Sequence, residues 1–138
     1  MGKTDSFLKV VAFSIIPCYN VEKYIDRCLS SVVQQSIGME HMQIILVNDA
    51  STDNTLEKLL LWETRYSDNI LVITYEQNIR QGGARNIGLN YATGDFIGFL
   101  DSDDCIAPDK ISNSLKAIKN EIGNNIVISN FKMFEMQC

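Results

Sequence analysis

Residues 44–53 read Ile44-Ile45-Leu46-Val47-Asn48-Asp49-Ala50-Ser51-Thr52-Asp53. Four consecutive apolar residues fit a short strand buried on both faces. Ser51, Thr52 and Asp53 then offer capping side chains to a helix whose stripe runs through Leu56, Leu59, Leu60 and Trp62. A buried strand passing directly into an amphipathic helix is the repeating step of an α/β sheet.

The same step recurs outward in both directions. On the N-terminal side, Val10 to Ile16 reads as a strand ended by Pro17. Val21, Tyr24, Ile25, Cys28, Leu29, Val32 and Val33 then follow helical spacing, with Asn20 in the N-cap position. On the C-terminal side, Ile70 to Thr74 is the next strand. Gly82-Gly83 opens a helix carrying Ala84, Ile87, Gly88 and Tyr91 on one face, and Thr93-Gly94 ends it. Phe96 to Leu100 is a fourth strand. Pro108 suits the first turn of a helix with Ile111, Leu115, Ile118 and Ile122 inward, and Ile126 to Ile128 is a last strand. The order βαβαβαβαβ predicts a mostly parallel sheet with right-handed crossovers and helices on both faces.

The whole chain has 138 residues, fitting one domain, with 46% apolar residues for its core. Its formal net charge of −5 argues against a nucleic-acid partner, which needs a basic face. A nucleotide ligand remains compatible, because a metal can screen phosphates locally. No run of about 18 apolar residues would span a bilayer, and Lys3, Thr4, Asp5 and Lys9 make a poor signal peptide. Cys18, Cys28, Cys105 and Cys138 lack CxxC spacing, and His41, read as a loop residue, cannot complete a zinc site alone. Free thiols in a reducing cytosol are expected. No catalytic histidine arrangement is present, and the chain stops soon after a strand, so a truncated domain is expected.

In an open α/β sheet, ligands bind beyond the carboxyl ends of the strands. Those places hold Pro17-Cys18-Tyr19-Asn20, Asn48-Asp49-Ala50-Ser51, Asn78 to Arg85, and Asp101-Ser102-Asp103-Asp104. Three carboxylates within four residues repel one another unless a cation lies among them, and hard oxygen ligands suit Mg²⁺ or Mn²⁺. The alternative is a solvated acidic turn ahead of the helix at Pro108. An EF-hand starting at Asp49 fails, because Asn54 stands where glycine is needed and Leu60 where glutamate is needed. Asp53 is therefore read as a helix cap. Asp49 can accept a hydrogen bond from an imide N–H such as that of uracil, or serve as a second cap. The Tyr19 ring can stack on a base or belong to the core. Arg85, placed in the first turn after Gly82-Gly83, calls for an anionic partner or is a surface arginine. Gly82-Gly83-Ala84-Arg85-Asn86-Ile87-Gly88 is not a dinucleotide fingerprint.

Four blocks together carry a family resemblance. They are residues 14–20, residues 45–53, Gly83-Ala84-Arg85-Asn86-Ile87-Gly88, and residues 92–104 ending in Asp101-Ser102-Asp103-Asp104. In this order and spacing, from Phe13 to about Lys110, the chain resembles family 2 glycosyltransferases of the GT-A fold. The helix beginning Val21-Glu22-Lys23-Tyr24-Ile25 is similar to bacterial surface-polysaccharide members.

The resemblance implies a GT-A domain over residues 1–138, the nucleotide-sugar-binding portion of an inverting enzyme, with the acceptor half and the catalytic base beyond Cys138. Pro17 and Tyr19 would line the base pocket, with Asn20 beside them, and Asp49 would bind the uracil edge. Arg85 would contact the nucleotide and Asp101 the ribose or donor sugar. Asp103, with Asp101, would ligate Mn²⁺ or Mg²⁺ across the diphosphate, supported by Asp104 and Ser102. The donor would be a UDP-sugar and the acceptor a glycan or a lipid-linked hydroxyl, in the cytoplasm, at the inner membrane face where the acceptor is lipid-linked. The alternative is a degenerate nucleotide-binding module without transferase activity. A related nucleotidyltransferase is disfavoured because Pro17-Cys18-Tyr19-Asn20 stands where a glycine-rich basic loop belongs. A receiver-like domain is disfavoured because the acidic cluster follows the fourth strand. The 138 residues by themselves are expected to bind nucleotide diphosphate weakly and transfer no sugar. Where the family has Asp-Asp-Gly-Ser, this chain has Asn48-Asp49-Ala50-Ser51, losing one charge and one glycine.

Overall fold

A computed structural model of the chain describes residues 12–92 and 96–119. It contains β1 (Ala12–Cys18), α1 (Ile25–Val33), a 3₁₀ turn (Met39–His41), β2 (Met42–Asp49), α2 (Thr55–Arg65), β3 (Ile70–Tyr75), α3 (Arg80–Asn90), β4 (Phe96–Phe99) and α4 (Lys110–Lys119). The sheet order is β3-β2-β1-β4, and all three pairings are parallel. All four strands therefore end on one rim. The chain first winds outward from β1 through β2 to β3, then returns to the other side of β1. That reversal makes the strand ends at β1 and β4 the switch point, where open α/β sheets bind ligands.

The continuous apolar run in β2 is buried on both faces, as its composition required. Ile44 and Leu46 join Ile16, Ile25, Leu29, Val32, Leu59 and Trp62 in one core. Ile45 and Val47 join Ile15 and Ala84 in a second core on the opposite side, beneath α3. Each fully buried Ile or Leu side chain contributes about 1.5–3 kcal/mol relative to exposure. Across α1 and α2, Asp26 accepts hydrogen bonds from Trp62 Nε1 at 2.9 Å and Lys58 Nζ at 3.0 Å. Burial alone would raise the Asp26 carboxyl, but these bonds and the charges of Lys58 and Arg65 outweigh it and hold it below its ordinary value.

Several boundaries differ from the sequence expectation. β1 does not stop at Pro17 but runs to Cys18, pairing Pro17 with Val47. Pairing with β4 ends at Ile15, whose carbonyl accepts from Leu100 N. Two residues on, Pro17 faces the same side, where no ladder bond needs its missing N–H. β2 also runs further, so Asn48 and Asp49 are its last residues rather than the first of a loop. In α2, Leu60 is 44% exposed, whereas Thr55 turns inward with Leu59 and Trp62. Tyr91 is half exposed at the end of α3 instead of packing with Ala84 and Gly88. Pro108 precedes α4 by a turn, and its carbonyl accepts from Ser36 N at 2.8 Å. Thr93-Gly94, Ile122 and the strand expected at Ile126–Ile128 lie outside the described residues, as does the side chain of Ile118.

The glycines of α3 have different tasks. A Cβ on Gly88 would stand 2.5 Å from Ile15 Cγ2 in the closed core, whereas one on Gly82 would meet nothing within 4 Å. Gly88→Ala is therefore expected to destabilise the fold by about 1–3 kcal/mol, the range for overpacking. Gly82→Ala is expected to be neutral or stabilising by up to about 1 kcal/mol through helix propensity. Urea denaturation of the two variants checks the contrast, and equal midpoints would contradict it.

Candidate functional site

The loop after β1 is tied to the loop after β2 by Asn20. Its Oδ1 accepts from Thr52 N at 2.8 Å, Asp53 N at 3.3 Å and Thr52 Oγ1 at 3.3 Å, and its own N–H donates to Ser51 Oγ at 3.1 Å. The positive φ of 51° at Asn20 is one that asparagine tolerates. Asn20 is thus a loop staple and not the N-cap of α1, which starts at Ile25 without a side-chain cap. Val21 N donates to Thr55 Oγ1 at 2.9 Å, and Asp53 accepts from both Thr55 N and Glu22 N. The N-cap residue of α2 is Asn54 rather than Asp53, which lies one residue earlier, accepts from the first helical N–H and also holds the first loop. These ties leave Tyr19 on the rim, 48% exposed, above buried Pro17.

At the end of β2, Asn48 and Asp49 are almost fully buried. Asn48 Nδ2 donates to Thr74 Oγ1 at 2.9 Å, and its Oδ1 accepts from Ser51 N at 3.4 Å. Asp49 Oδ1 accepts from Ile79 N at 2.7 Å, and its carbonyl accepts from Asn78 Nδ2 at 3.3 Å. Asp49 therefore anchors Ile79, the residue just before α3, and is not the second cap for α2 that the sequence left open.

α3 begins at Arg80 rather than at the glycine pair. Arg85 consequently lies in the second turn, not the first, and helix-dipole repulsion no longer accounts for its position. Its Nη2 donates to Asp101 Oδ1 at 3.1 Å, and its guanidinium lies 6.0 Å from the Phe99 ring centroid. Its Nε is shut off from solvent with no hydrogen-bond partner. The part-exposed Arg85 side chain can meet an anionic ligand once a cation offsets the neighbouring carboxylates.

Asp101, Asp103 and Asp104 each offer a carboxylate oxygen, all within 4.8 Å of one another. The turn is closed by Asp104 N donating to Asp101 O at 3.0 Å, and Ser102 is buried within it. Burial, then the charges of Asp103 and Asp101, raise the Asp104 carboxyl against the opposing pull of Lys110. Converging hard oxygens under mutual repulsion fit a Mg²⁺- or Mn²⁺-type ion.

The residues just after the acidic turn are tied to Ser31 of α1 and to Gln35 beyond its end. Ile106 N donates to Ser31 Oγ at 3.1 Å, Gln35 Nε2 to Ala107 O at 2.7 Å, and Ile111 N to Gln35 Oε1 at 3.1 Å. Ser31, Gln35 and Thr55 also brace this rim, although no motif marks them. Their signal is a polar residue inside an otherwise apolar helical stripe. Cys28 lies beneath the cluster, and burial followed by Asp104, Asp103 and Asp101 pushes its thiol up to about 12. Cys18 is raised as well, first by burial and then by Cys28. Both are free thiols, as expected. The expectation of a thiol at Cys105 is corrected, because that residue is disulfide-bonded, a state that isolated cysteine spacing cannot reveal.

Comparisons with known proteins find relatives along most of the chain. The family profile described as Glycosyl transferase family 2 matches residues 14–136. The Bacillus subtilis minor teichoic acid biosynthesis protein GgaB is 42% identical over 114 residues, covering 80% of this chain and 13% of that protein. The Escherichia coli UDP-Glc:alpha-D-GlcNAc-diphosphoundecaprenol beta-1,3-glucosyltransferase WfgD is 38% identical over 122 residues, covering 84% of this chain and 46% of its own. The crystal structure of S. aureus TarS 1–349 in complex with UDP-GlcNAc superposes with a TM-score of 0.73 at 30% identity, over 90% of this chain and 39% of that one. The chain thus spans less than half the length of each of these relatives.

Ala50 directly follows the buried Asp49 and adopts φ 58°, the left-handed region. A non-glycine residue there costs roughly 1–2 kcal/mol, offset by about 0.5–1 kcal/mol of glycine entropy in the unfolded chain. Ala50→Gly is expected to raise stability by about 0.5–1 kcal/mol in urea denaturation. A lowered midpoint would contradict this reading of the turn.

Proposed function

The chain belongs to glycosyltransferase family 2, and from that premise we propose that it is the donor-binding unit of an enzyme that moves a sugar from a nucleotide-diphosphate donor to an acceptor hydroxyl. The observation that carries the proposal is Arg85, held at Asp101 with a buried, unpartnered Nε, on the same rim as three convergent carboxylates. Cationic and anionic groups so paired suit a diphosphate ligand accompanied by a divalent cation.

In this reading the exposed Tyr19 ring stacks on the base, beside Pro17 and Asn20. The Asp49 oxygen not held by Ile79 accepts the imide N–H of uracil. Arg85 contacts the diphosphate side of the nucleotide, and Asp101 faces the ribose or donor sugar. Asp103 and Asp101 would hold Mn²⁺ or Mg²⁺, with Asp104 and the buried Ser102 shaping the turn. A bound ion supplies positive charge against the departing diphosphate. The acceptor oxygen bonds to the anomeric carbon from the face opposite the leaving group, the bond to diphosphate breaks, and the configuration inverts. None of the described residues is assigned as the base that takes the hydroxyl proton.

The UDP preference is supported by the TarS complex with UDP-GlcNAc and by the donor in the name of WfgD. The acceptor is a glycan or a lipid-linked hydroxyl in bacterial polysaccharide synthesis. The reaction belongs in the cytoplasm, at the membrane's inner face where the acceptor is lipid-linked. No helix among the described residues is long and apolar enough to cross a membrane.

Calorimetry with UDP, GDP and ATP, each with and without Mn²⁺, tests the proposal. UDP is expected to bind at least about tenfold more tightly with Mn²⁺, and Asp103→Ala to abolish that gain. Metal-independent UDP binding, or equal binding of all three nucleotides, would contradict it.

A further inference from the structure

Tyr75 is the last residue of β3 and stands in register with Asp49, the last residue of β2. Alternation along the strands puts both on the face covered by α3, where Ile45, Val47, Ile73 and Tyr75 share the smaller core. The Asp49 side chain is almost completely withdrawn from water, with one oxygen committed to Ile79 N. The Tyr75 Oη is also sealed from solvent and makes no hydrogen bond of full geometry. Burial, then the charge and the hydroxyl-directed pull of Asp49, push this phenol up to about 12. Tyr75 therefore keeps its proton at neutral pH and presents a donor to a buried carboxylate.

An unpartnered buried hydroxyl is costly, and a carboxylate oxygen can accept two hydrogen bonds. The phenol can turn onto Asp49 without displacing Ile79. We propose that Tyr75 is a positioning residue, whose hydroxyl fixes the rotation of the Asp49 carboxylate and thereby sets the site's preference for a base that carries a ring N–H donor. The inference rests on the proposed contact between Asp49 and the nucleotide base. It assigns the selectivity to a pair of adjacent strand ends, not to Asp49 alone. Uracil offers the N–H; cytosine presents a bare ring nitrogen that the same carboxylate repels.

The test is calorimetry on the purified chain with UDP, CDP and inorganic pyrophosphate, all with Mn²⁺, comparing the parent with Tyr75→Phe and Asp49→Asn. Tyr75→Phe keeps the ring and removes only the hydroxyl. It is expected to weaken UDP about tenfold while CDP and pyrophosphate hold their affinities, so the UDP-to-CDP ratio falls about tenfold. An unchanged ratio in Tyr75→Phe, with a reduced ratio in Asp49→Asn, would overturn the role of Tyr75 and leave the base contact standing. Equal weakening of UDP and pyrophosphate would also overturn it, because a packing defect does not distinguish bases. An Asp49→Asn variant that melts like the parent and binds UDP as tightly would remove the base contact itself.

Discussion

Side-chain ties between neighbouring loops determine whether this rim can act as one site. Asn20 binds the first loop to the second, Asp49 binds the second strand to the start of α3, and Arg85 binds α3 to Asp101. Ser31 of α1 and Gln35 just beyond it then hold Ile106 and Ala107, which follow the acidic turn. The ties form a closed circuit around the strand ends. A parallel sheet brings four loops to one edge, but only such cross-bracing fixes their distances.

The circuit also explains how repelling charges are kept together. Asp101 is offset by Arg85, and the backbone turn at Asp104 holds the carboxylates within reach of a single ion. Beneath them, Cys28 stays a neutral thiol, because burial and the overlying carboxylates both disfavour a thiolate. The cost of the arrangement is local. Asn20 and Ala50 both adopt left-handed backbone, one on each side of the first tie. Strain next to a binding rim fits a preorganised site.

Much of this was legible in the sequence. The buried run Ile44 to Val47 gave the parallel sheet, and the stripe through Ile25, Cys28, Leu29 and Val32 gave the face of α1. The acidic turn after β4 stood out because its spacing is local. What could not be read depends on tertiary partners. Asn20 has cap chemistry, and only the approach of residues 51–53 decides that it staples loops. The glycine pair suggests a helix start that would put Arg85 in the first turn, whereas Asp49, distant in sequence, anchors Ile79 just ahead of the start at Arg80. Leu60 fits the helical stripe of α2, yet Thr55 takes the inward place through its bond to Val21 N.

The central proposal is that the four strand-end loops form one site for a nucleotide and a divalent cation. Paramagnetic broadening of backbone amide signals by Mn²⁺ tests it most directly, since the effect falls steeply with distance. With UDP present, the account predicts selective broadening at Tyr19, Asp49, Arg85 and Asp101 to Asp104, with Leu61 and Arg65 on the outer side of α2 unaffected. Broadening confined to the acidic turn, or centred away from the strand ends, would contradict it.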